Sequence, residues 1–230
     1  MNIDINDFTS PKLWNLDLDS LKEVKAFLKD FKYPWVALNE IANFVEDLIN
    51  KYKDSEDYYF YNDKVLAHKS SQISKQALIE GPAFISKDVI IGPNVYIREA
   101  VYLGKATSIH NSIEIKNAIL LEHVEASHFN YIGDSILGNQ AHLGAGAIIS
   151  NLRHDKESVK IHLSSKQTID TGLIKFGALL ADRAEVGANA VLNPGTIVGK
   201  DSVIYPLTQS RSVIPSKHIL KNDGKLYIIY

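Results

Sequence analysis

His128 and Tyr131 stand three residues apart in the stretch Ala126-Ser127-His128-Phe129-Asn130-Tyr131-Ile132-Gly133-Asp134. An imidazole that is neutral near pH 7 can serve as a general base. A phenol beside it can donate to an anionic oxygen. Upstream, Arg98 and Lys116 are eighteen residues apart. A planar guanidinium fork next to a point-charge ammonium suits a phosphate or a phosphorylated sugar. The same residues also allow a plainer arrangement, a solvated face on which Arg98 pairs with Glu99 or Glu114. Which holds depends on the element that carries them.

That element is a repeat. From Ile73 an aliphatic residue recurs every six positions, at Ile79, Ile85, Ile91, Ile97, Leu103, Ile109 and Ile115. Leu120 comes one residue early, Ala126 and Ile132 return to six, Leu137 is early again, and Leu143 and Ile149 resume the period. The two slips bracket His128, and local rules tend to fail at functional places. The residue four after each aliphatic one is small or β-branched, and Gly often follows it, as in Ile91-Gly92 and Leu143-Gly144. Six residues suit one short strand and a turn, with three such units closing a triangular coil whose stacked copies bury a continuous ladder. Eighteen residues are then one full turn, so Arg98 and Lys116 stack on one face of successive coils.

The repeat stops after Ile149. Residues 150–173 are polar and charged, with Asn151, His154, Lys156, Lys160, His162 and Lys166, and read as a projecting loop; long loops in compact folds are often functional. The period resumes from Ile174 to Ile204, giving about twenty rungs and six or seven coils. The expected organisation is a helical cap with a short hairpin over residues 1–70, a β-helix over 71–210, and a terminal strand or hairpin over 211–230. Within the cap, Ser20-Leu21-Lys22-Glu23 is a capping-box pattern opening a helix, and Pro34 opens a second helix striped by Trp35, Leu38, Ile41, Phe44, Val45 and Leu48.

Composition limits the partners. The chain has 230 residues, 45% of them hydrophobic, and a formal net charge of -2, so bulk charge favours neither nucleic acid nor a membrane surface. It has no Cys, which excludes disulfides and thiolate metal sites and fits a reducing cytoplasm. No apolar run approaches the roughly 18 residues of a membrane span, and the acidic start is not that of a signal peptide.

Over so many rungs the pattern resembles the left-handed parallel β-helix of the hexapeptide-repeat acyltransferases. Arg98, Lys116, the segment from His128 to Asp134, Leu143-Gly144-Ala145-Gly146 and Asn151 resemble the acetyltransferase domain of the bacterial glucosamine-1-phosphate acetyltransferase/uridyltransferases. The stretch from Asn151 to Ala178 is more similar to the archaeal-type sugar-phosphate nucleotidylyltransferases that carry such a β-helix. The resemblance implies a homotrimer using acetyl-CoA and a sugar phosphate. It implies His128 as the base, Arg98, Lys116 and Tyr131 as phosphate holders, and Asn151 with Lys156 completing the sugar site. It places backbone N–H groups near Ala145 at the thioester or the CoA arm, and Ala178, Ala188 and Pro206 beside the CoA groove. His142 stands where the bacterial enzymes usually have Asn, which bears on substrate choice. Residues 1–72 contain no Gly-rich nucleotide loop, so no uridylyl transfer is expected, and no metal is expected in the acyl-transfer site. The acceptor stays open: an amino-sugar 1-phosphate, a nucleotide-linked amino sugar, or another amine. Two other readings compete. One is a γ-carbonic-anhydrase-like zinc hydratase using His123 and His128, and the other is a non-catalytic trimeric scaffold.

Overall fold

The structure, a computed structural model, describes residues 4–163, 167–211 and 213–229. The first three residues of the expected N-terminal arm and Lys166 of the expected loop lie outside the described residues. The repeats build a parallel β-solenoid of about eight turns, each turn laying one short rung on each of three faces. Ile97, Ile115, Ile132, Ile149 and Leu192 line up on the first face. Leu103, Leu120, Leu137, Leu180 and Val198 line up on the second. Ile109, Ala126, Leu143, Val186 and Ile204 line up on the third. All of these point into the prism and are buried in one cluster. Full burial of each larger aliphatic side chain contributes about 1.5–3 kcal/mol, so the ladder dominates stability.

The prism is longer than the sequence period indicates. Val65–His68 already forms a second-face rung, pairing parallel with Leu78–Ile85, and so belongs to the prism rather than to the N-terminal part. At the other end Gln209–Ser210, Val213–Ile214 and His218–Leu220 continue the coil, and Leu226–Ile228 closes it as an antiparallel strand. The period hides these turns because buried Ser210 takes an inward position normally held by an aliphatic residue.

Every departure from six residues falls on the edge between the first and second faces. Ile115 to Leu120 and Ile132 to Leu137 are five apart, and residues 150–177 are inserted there before the next second-face rung. The corners before and after the third face keep their regular length. The slips therefore do not surround His128, as the sequence order suggests; they lie at the far end of the same face, around Asn117 and Asp134.

The N-terminal helices cap the prism along its side. The second face turns Phe84, Tyr102, Ile119, Ile136, Leu179 and Ile197 outward, and these pack with Leu21, Val24, Leu28, Trp35, Leu38, Ile41, Phe44 and Val45 in a second core. Pro34 opens a 3-10 segment, Pro34–Glu40, which runs into the helix Ile41–Tyr52. Ser20 does not cap the first helix: its hydroxyl donates to Glu122 on the prism, and Lys22–Leu28 starts without a side-chain cap. Trp14 donates its indole N–H to the carbonyl of Leu180 at 2.8 Å, and Asn15 N–H donates to Asp182 at 2.6 Å. The inserted loop is likewise folded down. Lys160–His162 and Thr168–Asp170 form an antiparallel hairpin, with Val159, Ile161, Leu173 and Phe176 buried in the same second core.

Candidate functional site

The first face carries the chemistry, with a different group of residues at each end of its rungs. Arg98 and Lys116 are direct register partners on neighbouring coils, as an eighteen-residue turn requires, and Gly133 is the next partner in the column. Neither cation is free. Arg98 Nε donates to Glu114 at 2.8 Å. Lys116, whose side chain is 3% exposed, lies 2.9 Å from Glu99 and 3.6 Å from Asp134. Burial works against the Lys116 ammonium, but its bond to Glu99 and the charges of Asp134 and Glu99 outweigh it and raise its pKa. Two cations thus face three carboxylates.

Asp134 organises this corner. It accepts from Asn117 Nδ2 at 2.9 Å and from Asn151 Nδ2, while Asn117 also donates to the carbonyl of Leu38 at 3.0 Å. Asn151 Nδ2 lies 3.2 Å from the Tyr131 phenol oxygen, to which it donates. Burial pushes the Tyr131 phenol above its ordinary pKa; the charge of Lys116 opposes this, and Asp134 and Glu114 add to it. The phenol therefore stays protonated at neutral pH, accepting from Asn151 and keeping its own proton to donate. Asn151 opens the insertion and Gly177 closes it, the latter donating its N–H to the Asp134 carbonyl at 2.8 Å. Both ends of the long loop thus meet at the site.

Gly133 leaves the space that Tyr131 and Asn151 occupy. A Cβ there would stand 2.7 Å from both Asn151 Nδ2 and the Tyr131 hydroxyl. Gly133→Ala is expected to displace both, at a cost of about 1–3 kcal/mol of overpacking. Thermal melting should fall by roughly 2–4 °C per kcal/mol, and affinity for a ligand held by Tyr131 should fall with it. A variant with wild-type melting and wild-type ligand affinity would refute this account of Gly133.

His128 occupies the other edge, between the third and first faces, and is exposed. Its ring centroid is 5.9 Å from that of His110, and its carbonyl accepts from Gly146 N–H at 2.8 Å. Ala145 stacks on it from the next coil, and its N–H meets no acceptor among the described residues. Ala188 follows on the coil after, where its N–H lies beside Gly144. Ala145, Ala188 and Pro206 thus form a column of small, partly open corner positions running away from His128. Ala178 is not part of it. Its N–H donates to Ser135 Oγ at 3.0 Å and its side chain is fully buried on the second face, so it cannot line a cofactor groove. Lys156 sits exposed in a turn of the insertion, and no contact joins it to Tyr131, Lys116 or Asn151 among the described residues.

His142 is held in a relay that the sequence analysis did not anticipate. Its Nδ1 lies 3.1 Å from Glu185 and its Nε2 lies 3.1 Å from Ser127 Oγ. With Nδ1–H given to the acid, Nε2 is left to accept from the hydroxyl. Register offers the signal, since His142 and Glu185 are direct partners on neighbouring coils, but the insertion separates them by 43 residues. His123 lies on the edge between the second and third faces and His128 on the edge between the third and first, so the two do not converge within one chain. Among the described residues no group of three or more His, Cys, Asp or Glu side chains is disposed to hold a metal ion.

Residues 79–174 match the family model described as the GMPPB C-terminal domain. The chain is 32% identical over 183 residues to the bifunctional protein GlmU of Methanococcus maripaludis, covering 79% of this chain and 44% of that one. The rungs resemble the acetyltransferase part of the GlmU-type proteins. The chain is also 34% identical over 89 residues to the bifunctional sugar-1-phosphate nucleotidylyltransferase/acetyltransferase of Sulfurisphaera tokodaii, covering 39% of this chain and 22% of the relative. It therefore spans less than half the length of the curated relatives it matches. Among solved structures, the polysialic-acid-specific acetyltransferase NeuO aligns with a TM-score of 0.46 at 15% identity, covering 69% of this chain and 76% of that one. No helix of the described residues is long and apolar enough to cross a membrane.

Proposed function

We propose that this chain is an acetyl-CoA-dependent N-acetyltransferase whose acceptor is an amino sugar carrying phosphate, working as a homotrimer in the cytoplasm. One observation carries the reading. An exposed imidazole at one edge of the first face shares that face with a protonated Tyr131 leading to the Lys116–Asp134–Asn151 cluster at the other. A base and an acceptor-holding end thus lie on one strip, as positioning of a bifunctional acceptor requires. The acceptor amine attacks the thioester carbonyl while His128 Nε2 or Nδ1 takes the amine proton. The C–S bond then breaks, and CoA leaves with the proton that His128 carries. The Ala145 N–H is a donor for the developing oxyanion, and the Ala145–Ala188–Pro206 column gives the pantetheine arm its path, closed by a neighbouring prism. An acceptor oxygen displaces Glu99, whose side chain is 52% exposed, from Lys116, while the buried Asp134 stays in place.

The deciding experiment measures CoA release from acetyl-CoA with glucosamine-1-phosphate and a panel of free and nucleotide-linked amino sugars. Amine-dependent turnover supports the reading. No turnover with any amine, together with no calorimetric binding of acetyl-CoA, overturns it in favour of a trimeric scaffold.

A further inference from the structure

A second polar cleft of about 400 Å³ lies where the inserted hairpin stands over the first face. Arg153, His154, Asp155, Lys160 and His162 line it from the insertion, and Arg211 lines it from the prism. Its one lining carboxylate, Asp155, is held by Arg153 through Nε at 2.8 Å and through Nη2. Lys160 and Arg211 make no ion pair among the described residues. The cleft therefore gathers Lys160 from the insertion and Arg211 from the prism, flanked by two imidazoles, with Asp170 across the hairpin from Lys160 as the nearest charge to offset it. Their convergence has an independent sign. Burial, followed by the charges of Arg211, Arg153 and Lys160, holds the His162 imidazole below its ordinary pKa. Converging positive charge in a concave site is stabilised by a multivalent anion, and an Arg fork with a Lys head suits phosphate oxygens. The size falls within the range of small-molecule sites, about 300–1,000 Å³.

Its position relates it to the first site. Ser150 and Asn193 of the cleft lie at the same edge as Asp134, and Asn151 is shared by the loop and the cluster. Three coil steps, from Ile132 through Ile149 and Leu192 to Ser210, separate the Gly133 rung from the Arg211 rung. At ~4.8 Å between strands this is about 14 Å. That span suits the diphosphate and nucleoside of an acceptor whose sugar lies across Tyr131.

We infer that this cleft is a diphosphate subsite, and that the acceptor is therefore a nucleoside-diphosphate-linked amino sugar rather than a sugar 1-phosphate. The inference rests on the acetyl-transfer reading for the identity of the ligand, though not for the presence of the site. The phosphates of CoA share this chemistry and are the other source.

The test is calorimetric binding of UDP, inorganic pyrophosphate and CoA, separately, to the full chain and to Arg211→Ala, Lys160→Ala and the double variant. Both side chains are exposed, so folding should persist, and circular dichroism checks it. The expected result is binding of UDP and pyrophosphate that weakens about tenfold or more with each substitution, with CoA affinity unchanged. Absence of UDP and pyrophosphate binding, or affinities indifferent to both substitutions, overturns the subsite. Loss of CoA affinity alone assigns the cleft to the cosubstrate and overturns the acceptor inference. Amine-dependent CoA release without UDP binding sinks this inference and leaves the acetyltransferase reading standing; cation-dependent UDP binding without any turnover does the reverse.

Discussion

His128→Ala is expected to lower amine-dependent CoA release about 10²–10⁴-fold, the usual contribution of a positioned general base. The loss should fall on kcat, with KM for the acceptor little changed, because the sugar-holding groups sit at the other edge of the face. Melting should be unchanged. The ring is exposed, its one ring contact outside its own corner among the described residues is His110, and the backbone bond from Gly146 to the carbonyl of residue 128 survives the substitution. Steady-state kinetics with the acceptor found in the panel, beside a thermal melt, checks both halves. Activity within about threefold of wild type, where a base would supply 10²-fold or more, would remove His128 from the chemistry. His142, an imidazole already oriented by Glu185, would then be the group to replace.

Lys116→Met should be the most destabilising substitution in the site. It strands Asp134, which is 6% exposed on its side chain, without its cation. Breaking a buried pair from one side costs about 3–5 kcal/mol. The lower end applies here, because Asn117 and Asn151 still donate to the carboxylate. At roughly 2–4 °C per kcal/mol, melting should drop by about 6 °C or more. Adding Asp134→Asn removes the stranded charge and should recover part of the loss, so the double-mutant cycle should show clear coupling. The pH dependence follows from the raised pKa of Lys116. Its stabilisation is fully present below the unfolded value of about 10.4 and is lost only as pH rises through the higher folded value. The wild-type advantage over Lys116→Met due to the ammonium should therefore persist across neutral pH and shrink only in strong alkali. An equal melt for the two proteins at pH 7 would refute the buried pair.

The inward ladder and the stacking of Arg98 on Lys116 were legible because both depend only on a period of eighteen. The counter-ions were less so. Glu114 was named as a partner for Arg98, but Glu99 and Asp134 reach Lys116 from corner positions with φ near +60° and +47°. Their side-chain directions are set by the corner, which the rung period does not describe. The same gap misplaced the two slips around His128, because sequence order does not say which corner is shortened. The insertion hid Glu185 behind His142 in a similar way. The seat of the N-terminal helices could have been read, since the outward positions of the second face run Phe84, Tyr102, Ile119, Ile136, Leu179 and Ile197 without a polar residue. A solvated face does not carry such a column.

The bond from Trp14 to Leu180 joins residues 166 apart in the chain. During synthesis the N-terminal arm emerges long before the coil it docks on, and closing so long a loop is entropically slow. Coils can stack one by one behind the ribosome, each on its predecessor, while the arm waits with Leu13 and Trp14 uncovered. A segment translated early is thus among the last to be seated. A nascent chain halted before Leu180 presents that apolar arm to chaperones, and one released past Asp182 does not.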